Sequence, residues 1–477
     1  MISTKTRLMY GSGGAVYAAK EAAYTMFVLL FYTQVLGLSG TVTGLVIALS
    51  LVWDGISDPL VGLLSDRLRS RWGRRHPFMV LSIVPLGLGF IGLFSPPQAV
   101  LENSTALATW LLFWSLWLRT FVTTFSIPHL ALSAEITSDY HDRSQVLGAR
   151  MAFVFLFSVL LPATALLLIF PANEGVDGRF VAANYPLYGA LSCAVVWVAA
   201  TISSAGTRQH IHSSREAPVP RKDSSSLVGL KNDLMCTLRN RSFRLVIVYE
   251  FAAMSSYGAI ASLNMLAWTY FWEFSAQEIS IILSLPSILG IVLVLLTLKP
   301  LSQAFPKHRL MQFALIGMIV DCLWLYPPKL AGLLPDNESS SLAFILNFIF
   351  MMIFMYCFLL RGINTQSLVA DITDEHELDQ GLRQEAGFFS MINFTNKAAT
   401  VVGPLYGGIA LDIIGLNVDM RPGSVPQETL DGLVYALGLG VIPPLLIALA
   451  LACRISMSEA KVREIQAALR QRKSVST

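Results

Sequence analysis

Charged residues are scarce in this chain of 477 residues. Lysine and arginine number 34 and aspartate and glutamate 31, so charged residues make up 14%, against about 25% in an ordinary soluble protein. Hydrophobic residues reach 54%, and the mean hydropathy is +0.59. So few charges cannot cover a soluble globule of this size, and the same composition excludes disordered, collagen-like and coiled-coil chains. The composition predicts an integral membrane protein.

Several features of enzymes and of nucleic-acid-binding proteins are also missing. The net charge of +3 is too small to indicate a nucleic-acid partner. The five cysteines lie far apart and form no CxxC pair, so we expect apolar packing rather than disulfides or metal ligands. The sequence contains no HExxH, GxSxG or P-loop motif, which argues against a membrane-embedded enzyme.

Long apolar segments are abundant. A helix needs roughly 20 apolar residues to cross the hydrocarbon core, and the alternation typical of membrane β-barrels is absent from the sequence. The chain opens with a short polar stretch rather than a signal peptide, so we expect the first apolar segment to be retained as the first span. The sequence predicts twelve transmembrane helices, near residues 8–36, 42–64, 77–95, 106–132, 148–170, 184–204, 243–272, 279–299, 309–328, 340–362, 386–412 and 430–454.

Basic residues are distributed unevenly between the predicted loops. Five arginines lie in residues 65–77, and more basic residues occupy the middle linker and the tail after Arg454, whereas residues 37–41 and 96–105 contain none. Because basic loops stay on the cytoplasmic side of a membrane, we expect the even-numbered loops and both termini to be cytoplasmic. The same pattern fits a bacterial inner (plasma) membrane.

The two halves of the chain are related. Residues 132–137 after span 4 recur as residues 368–373 after span 10, with four identities and Asp371 in place of Glu135. Because these segments fall at equivalent loops, we infer a duplication and predict an all-α major facilitator fold of two pseudo-symmetric six-helix bundles. The predicted divisions are an N-terminal bundle, a cytoplasmic linker, a C-terminal bundle and a cytoplasmic tail, at residues 1–205, 206–242, 243–455 and 456–477.

Span 2 carries two carboxylates, Asp54 and Asp58, although an ionisable group within a membrane costs about 2.5–3.5 kcal/mol on insertion scales. A spacing of four places both on one helical face, beside Ser57. These groups can begin to coordinate a hard cation such as Na⁺, or the carboxylates can share and exchange a proton. The other interpretation is a structural pair satisfied by basic residues of neighbouring helices. We favour a cation site.

Other polar side chains in the spans indicate a substrate cavity. Lys397, in the same segment of span 11 as Asn393, is expected to reach Asp54 and Asp58 or an anionic substrate group. Lys20 and Glu21 are adjacent on span 1 and need not pair with each other. Lys20 shares a face with two tyrosines, which is typical either of a cavity wall or of an internal tie between helices. The further substrate-binding candidates are Tyr17, Tyr24 and Trp114, the last able to stack on a sugar ring or to anchor at the interface.

The predicted spans contain further ionisable residues, among them Arg119, Glu250 and Asp321. Arg119 in span 4 is expected to pair with an acid on span 1 or 2. Glu250 lies near the cytoplasmic end of span 7, so it faces either the interface or a site. Asp321 in span 9 is expected to serve helix packing.

Opposite charges follow spans 2 and 4 on the predicted cytoplasmic rim. They are Asp66 with Arg67, and Glu135 with Arg143. Ion pairs that form in one state and break in another would act as a gate. Solvated loop charges of little energetic weight are the alternative.

The residues of span 2 and its loop resemble the signature of the glycoside–pentoside–hexuronide:cation symporters, the melibiose-permease branch of the major facilitator superfamily. The resemblance rests on residues 54–77, 128–143 and 383–397. It implies that Asp54 and Asp58 bind the coupling Na⁺ or H⁺ together with Thr123. It also implies that Arg150 and Lys397 line the substrate cavity.

The sequence departs from the melibiose-permease pattern at three positions. Ser57 replaces an asparagine beside the second aspartate, which leaves Na⁺ selectivity open. Ala18 and Ser126 stand where sugar-holding aspartates are expected, which argues against a galactoside. Because neither sugar-holding aspartate is present, the nearby Lys20 and Glu21 become candidates for binding a differently charged ligand.

These observations predict a secondary active symporter that imports a sugar, glycoside or sugar acid by alternating access, driven by Na⁺ or H⁺. The predicted partners are the solute, the ion and the lipid bilayer, with no cofactor and a monomeric state. Two alternatives stay open. The same fold includes sodium-coupled lysolipid transporters with an amphipathic cargo, and an uncoupled facilitator would need no ion gradient.

Overall fold

The structure is a computed structural model, and it describes residues 2–68, 70–136, 140–172, 176–210, 238, 240–334, 340–380, 385–418, 420–455 and 459–476. The predicted linker at 206–242 therefore falls largely outside the described residues. The α-helices are α1 Thr4–Ser12, α2 Gly14–Ala22, α3 Gly40–Arg67, α4 His76–Phe94, α5 Gln98–Leu101, α6 Ser104–Ile136, α7 Tyr140–Leu168, α8 Tyr185–Gly206, α9 Arg241–Leu266, α10 Ala276–Ala304, α11 Lys307–Leu330, α12 Ser340–Gln380, α13 Glu385–Ile414, α14 Gln427–Val434, α15 Ile442–Ala452 and α16 Glu459–Ser476.

Among the described residues, 11 helical segments are long and apolar enough to cross a membrane. The segment that we expected to form the first span is helical but interrupted. Gly13 separates α1 from α2, and π-helical turns follow at Ala23–Val28 and Phe31–Val35. π-Helical turns inside helices often mark functional positions. The interruption places Lys20 and Glu21 directly before the first of these turns.

Glycines let the interrupted segment pack closely against the rest of its half. A Cβ at Gly13 would lie 2.6 Å from the His129 ring of α6, and one at Gly14 would lie 2.4 Å from the Arg150 carbonyl of α7. Any larger residue would push α2 away from both helices. The close approach brings the side chains of α2 to the charged face of α3.

The sequence repeat corresponds to two equivalent ion pairs. Glu135 at the end of α6 binds the guanidinium of Arg74, with a nitrogen–oxygen distance of 2.7 Å, just before α4 begins. Asp371 of α12 binds Lys307, the first residue of α11, at 2.6 Å. Each half therefore ties its long repeat helix to the start of a neighbouring helix by one carboxylate, as expected of duplicated halves.

The two halves are joined tightly where α3 begins and α13 ends, which we name the closed end. Asp412 of α13 accepts hydrogen bonds from the backbone amides of Gly40 and Thr41, both at 2.8 Å, and from the Ser39 hydroxyl at 2.7 Å. A carboxylate at a helix N-terminus satisfies unpaired amides and interacts favourably with the helix dipole. One half thus caps a helix of the other.

Further contacts between the halves lie at the closed end. Arg179, which is fully buried, donates to the Thr269 hydroxyl at 2.6 Å and to the Phe274 carbonyl at 2.7 Å. Tyr270 donates to Gln34 at 2.9 Å. These contacts, together with the cap on α3, make the closed end a place where the halves are held together by several hydrogen bonds. One ion pair between the halves lies deeper in the molecule.

We expect Gly408→Val in α13 to destabilise the closed end. A Cβ at this position would lie 2.1 Å from the Gly40 carbonyl oxygen, and overpacking costs typically about 1–3 kcal/mol. Thermal unfolding of the purified protein should show a lower melting temperature. The control is Gly148→Val in α7, because a Cβ there meets no atom within 4 Å. Equal melting temperatures for the two variants would contradict the close packing.

Candidate functional site

Helix α3 places Asp58 in contact with both halves of the protein. The Thr123 hydroxyl of α6 donates to one carboxylate oxygen at 2.8 Å. The other oxygen forms an ion pair with the ammonium group of Lys397, which lies on α13. This pair is the deep contact between the halves, and it confirms that Lys397 reaches one of the two aspartates.

Asp54, one helical turn earlier, has partners within its own half. The Arg119 guanidinium of α6 binds its Oδ2 atom at 2.5 Å, and the Lys20 ammonium lies 3.8 Å from the same atom. Arg119 also donates from Nε to the Ser50 hydroxyl at 2.8 Å and stacks on the Tyr24 ring. The prediction that Arg119 pairs with an acid on span 1 or 2 is confirmed.

The two carboxylates therefore have separate partners, although we expected them to converge on one cation with Ser57. Ser57 is buried, and its hydroxyl donates to the Asp54 backbone carbonyl at 3.5 Å, so it is engaged within its own helix. Cation binding at these residues stays a prediction. Asp58, which Thr123 contacts, is the carboxylate of the two whose basic partner belongs to the other half.

Helix α2 carries a further pair of charged side chains at the site. The Lys20 ammonium binds the Glu21 carboxylate at 2.8 Å, so these adjacent residues do pair, and it lies over the Tyr17 ring at 4.6 Å. Lys20 is buried, whereas the Glu21 side chain is 38% exposed. Glu21 is therefore the more exposed member of this pair.

The charges of the site are balanced. Three carboxylates, those of Glu21, Asp54 and Asp58, are matched by three basic groups, those of Lys20, Arg119 and Lys397. Balance is needed because a buried charge without a partner is very costly. A cation that enters this site makes its local charge positive unless an anion enters with it.

Trp114 does not lie on this face. Its indole packs against Gly92 of α4, where a Cβ would lie 2.2 Å from the ring. Nine residues separate it from Thr123, which corresponds to about 180° around a helix. Trp117 packs on the same side, where its ring N–H donates to the Pro85 carbonyl at 2.8 Å. The geometry therefore places Trp114 in helix packing and not in substrate stacking.

The remaining predicted substrate residues make no polar contact with the charged cluster. Arg150 is half-buried, and its recorded side-chain neighbour is the Met151 sulfur at 4.0 Å. Ser126 is half-buried on α6, three residues after Thr123, and Asn393 is exposed on α13, four residues before Lys397. These spacings put both on the helical faces that carry the site.

The predicted gating charges pair within one half. Asp66 forms an ion pair with Arg75, and Glu135 binds Arg75 at 3.0 Å as well as Arg74. Arg67 is exposed, and the side chain of Arg143 lies outside the described residues. We expected ion pairs that form in one state and break in another, and in this state the arginines of the loop before α4 bind both acids. The gating role stays a prediction.

One buried ion pair escaped the sequence reasoning. Arg361 of α12 binds Glu250 of α9 at 2.5 Å, and both side chains are almost fully buried. Glu250 therefore faces the protein and not the membrane interface. An arginine inside predicted span 10 was the signal that could have identified its partner. Asp321 accepts a hydrogen bond from Trp324 one turn away at 2.7 Å, as expected of a packing residue.

Comparisons with known proteins place these features in context. A family model described as MFS/sugar transport protein matches residues 9–459. A symporter of Synechocystis is 22% identical, with 92% of this chain and 90% of the relative covered. YagG of Escherichia coli, named as a glycoside/cation symporter, is 23% identical, with 90% and 86% covered.

Two further likenesses are narrower in what they show. The mouse sodium-dependent lysophosphatidylcholine symporter 1 is 29% identical, over 33% of this chain and 30% of its own length. The crystal structure of the nucleoside transporter NupG superposes with a TM-score of 0.62, at 12% identity, and covers 95% of this chain and 99% of its own. The last likeness concerns the fold alone.

We expect Arg119→Gln and Asp54→Asn each to destabilise the protein strongly, by about 3–5 kcal/mol, because each takes the nearest opposite charge away from a buried ionised group. The double variant should lose much less than the sum of the two, since it removes both charges. Chemical or thermal unfolding of the four proteins measures this coupling. The control is Lys461→Gln, whose partner Glu375 lies in a more exposed pair and should matter little. Additive losses at Arg119 and Asp54 would contradict the pairing.

Proposed function

The chain belongs to the MFS/sugar transport protein family and is a cation-coupled symporter of that type, and we propose that it carries a sugar, glycoside or sugar acid. It is a transporter and not an enzyme. A small-molecule solute and a coupling cation are its ligands.

The ion pair between Lys397 and Asp58 carries the proposal, since it joins the two halves inside the molecule. A cation that binds Asp58 and the Thr123 hydroxyl takes the place of the lysine ammonium. Na⁺ or H⁺ can do this, because each neutralises one carboxylate. Lys397 is then free to bind a solute, and the halves are released from one of their contacts. Coupling is the difference in ion and solute affinity between the two states.

The charge balance of the site favours a solute with an anionic group. After a cation has neutralised Asp58, the released ammonium has no carboxylate of its own. A sugar acid supplies a carboxylate for Lys397 and hydroxyl groups for Glu21, whose exposed oxygens accept hydrogen bonds. A neutral glycoside would use the hydroxyl contacts alone. We therefore place sugar acids first within the proposed class.

Alternating access then requires the closed end to separate. We propose a bacterial inner membrane, with the closed end facing outward and both termini in the cytoplasm, because the arginine-rich loops lie at the other end of the helices. In this orientation the described state receives solute from, or releases it to, the cytoplasm. Asp66, Glu135 and their arginine partners act at that cytoplasmic end.

Uptake by proteoliposomes tests the proposal. With a panel of radiolabelled hexuronates, pentosides and galactosides, we expect accumulation under an inward Na⁺ or proton gradient, and loss of accumulation when an ionophore collapses it. Asp58→Asn should leave at most slow equilibration, because the carboxylate that takes the ion is gone. Glu428→Gln is the charge-matched control, since Glu428 is exposed on α14.

Three outcomes would contradict parts of this proposal. Solute equilibration without any dependence on either gradient would indicate a facilitator. Competition by lysolipids but not by sugars or sugar acids would indicate an amphipathic-lipid carrier, the activity in the name of the mouse relative. Full accumulation by Asp58→Asn would remove the ion site from this position.

A further inference from the structure

The two aspartates of α3 differ in whether their basic partner can leave. Lys397, the partner of Asp58, belongs to the other half of the protein. Arg119 and Lys20, the partners of Asp54, belong to the same half as Asp54. A rocking motion between the halves can separate Lys397 from Asp58, but it moves Asp54 together with its two partners.

Arg119 is also held firmly in place. Its guanidinium binds Asp54 at 2.5 Å, its Nε donates to Ser50, and its plane lies 4.4 Å from the centre of the Tyr24 ring. Its side chain is 2% exposed, so water screens its charge little. An arginine side chain stays protonated in proteins. Asp54 therefore faces a permanent positive charge.

A sodium ion needs several oxygen ligands, and carboxylates are the strongest of these. At this site Na⁺ would meet two carboxylates. The basic partner of Asp58 can be removed. Asp54 is already neutralised by Arg119, and Lys20 lies close to it. Both basic groups would also repel the ion at short range. The charged groups around Asp58 are Asp54 on its own helix, Arg119 on α6, Lys397 on α13, and Lys20 with Glu21 on α2.

We propose that Arg119, supported by Lys20, is a selectivity residue that keeps Na⁺ from the aspartate pair. The positive charge of Arg119 neutralises Asp54, the second carboxylate that a sodium site would require. The inference rests on the proposed function, because it concerns the coupling ion of that symport. The proposed function allows Na⁺ or H⁺ as the coupling ion, and exclusion of Na⁺ makes H⁺ the coupling ion.

Sodium binding to the purified protein tests this without any solute. Equilibrium binding of radioactive Na⁺ is measured in potassium or choline buffer, together with the melting temperature in NaCl and in choline chloride at equal ionic strength. We expect no saturable binding and no Na⁺-specific stabilisation for the wild-type protein. Binding to the folded state alone would raise the melting temperature by mass action.

Two substitutions at Arg119 separate its charge from its packing. Arg119→Gln removes the charge and should create saturable Na⁺ binding, with a dissociation constant at least about tenfold below the highest Na⁺ concentration at which the wild-type protein shows none. It should also make the melting temperature rise with Na⁺, since the ion takes the vacated place beside Asp54. Arg119→Lys keeps the charge and should exclude Na⁺ like the wild-type protein. A purely structural arginine would change stability in both variants without changing Na⁺ affinity.

Lys20→Met provides a second measurement, because Arg119→Gln leaves Asp54 without its nearest partner and can fail to fold. This variant keeps Arg119 and lowers the positive charge near Asp54, so Na⁺ affinity should rise by a smaller factor. Saturable Na⁺ binding by the wild-type protein would overturn the proposal. So would unchanged Na⁺ affinity in the folded variants that lack a basic group. Because no solute is present, a failure of solute uptake would overturn the proposed function and leave this result standing.

Discussion

The need to neutralise charges inside a membrane governs the interior of this protein. An ionised group that moves out of water loses hydration free energy on the order of several kcal/mol. A close opposite charge recovers this loss. Three ion pairs of the described interior follow this rule: Asp54 is matched by Arg119, Asp58 by Lys397, and Glu250 by Arg361. The buried carboxyl group of Asp321 accepts a hydrogen bond from Trp324 instead. A partner can be replaced only by something of the same charge, and the proposed coupling uses such an exchange at Asp58.

The location of each pair decides its role. The pair of Arg119 with Asp54 lies within the first half, and the pair of Arg361 with Glu250 lies within the second. Both tie helices of one half together, so both persist whichever way the halves are oriented. The pair of Lys397 with Asp58 belongs to neither half alone. Of the three pairs, it alone depends on the relative position of the halves.

Much of the fold and part of the site could be predicted from the sequence. Apolar length and the repeat at Glu135 and Asp371 predicted two related helical halves, and the cost of charge in a membrane drew attention to Asp54, Asp58 and Lys397.

The partners were harder to predict, because helical spacing shows which residues share a face but not which helix lies opposite. The prediction for Trp114 was wrong for this reason, since the helix that lies opposite it is α4. Lys20 binds its neighbour Glu21 because flexible side chains can reach each other around a helix. The interruption of the first span at Gly13 also depends on contacts with α6 and α7, which lie far away in the sequence.

The cap that Asp412 places on α3 gives this helix a mechanical role. Asp58 lies 18 residues after Gly40, so the cap and the carboxylate are about 27 Å apart along one continuous helix. The segment from Gly40 to Asp58 is helical throughout, and the proline of α3, Pro59, follows it, so a tilt at the capped end displaces Asp58. In the alternating access proposed above, separation of the closed end would replace Asp412 by water at the first amides of α3, and the same tilt would move Asp58 relative to Lys397. The closed end and the ion pair would then be coupled mechanically through the helix itself.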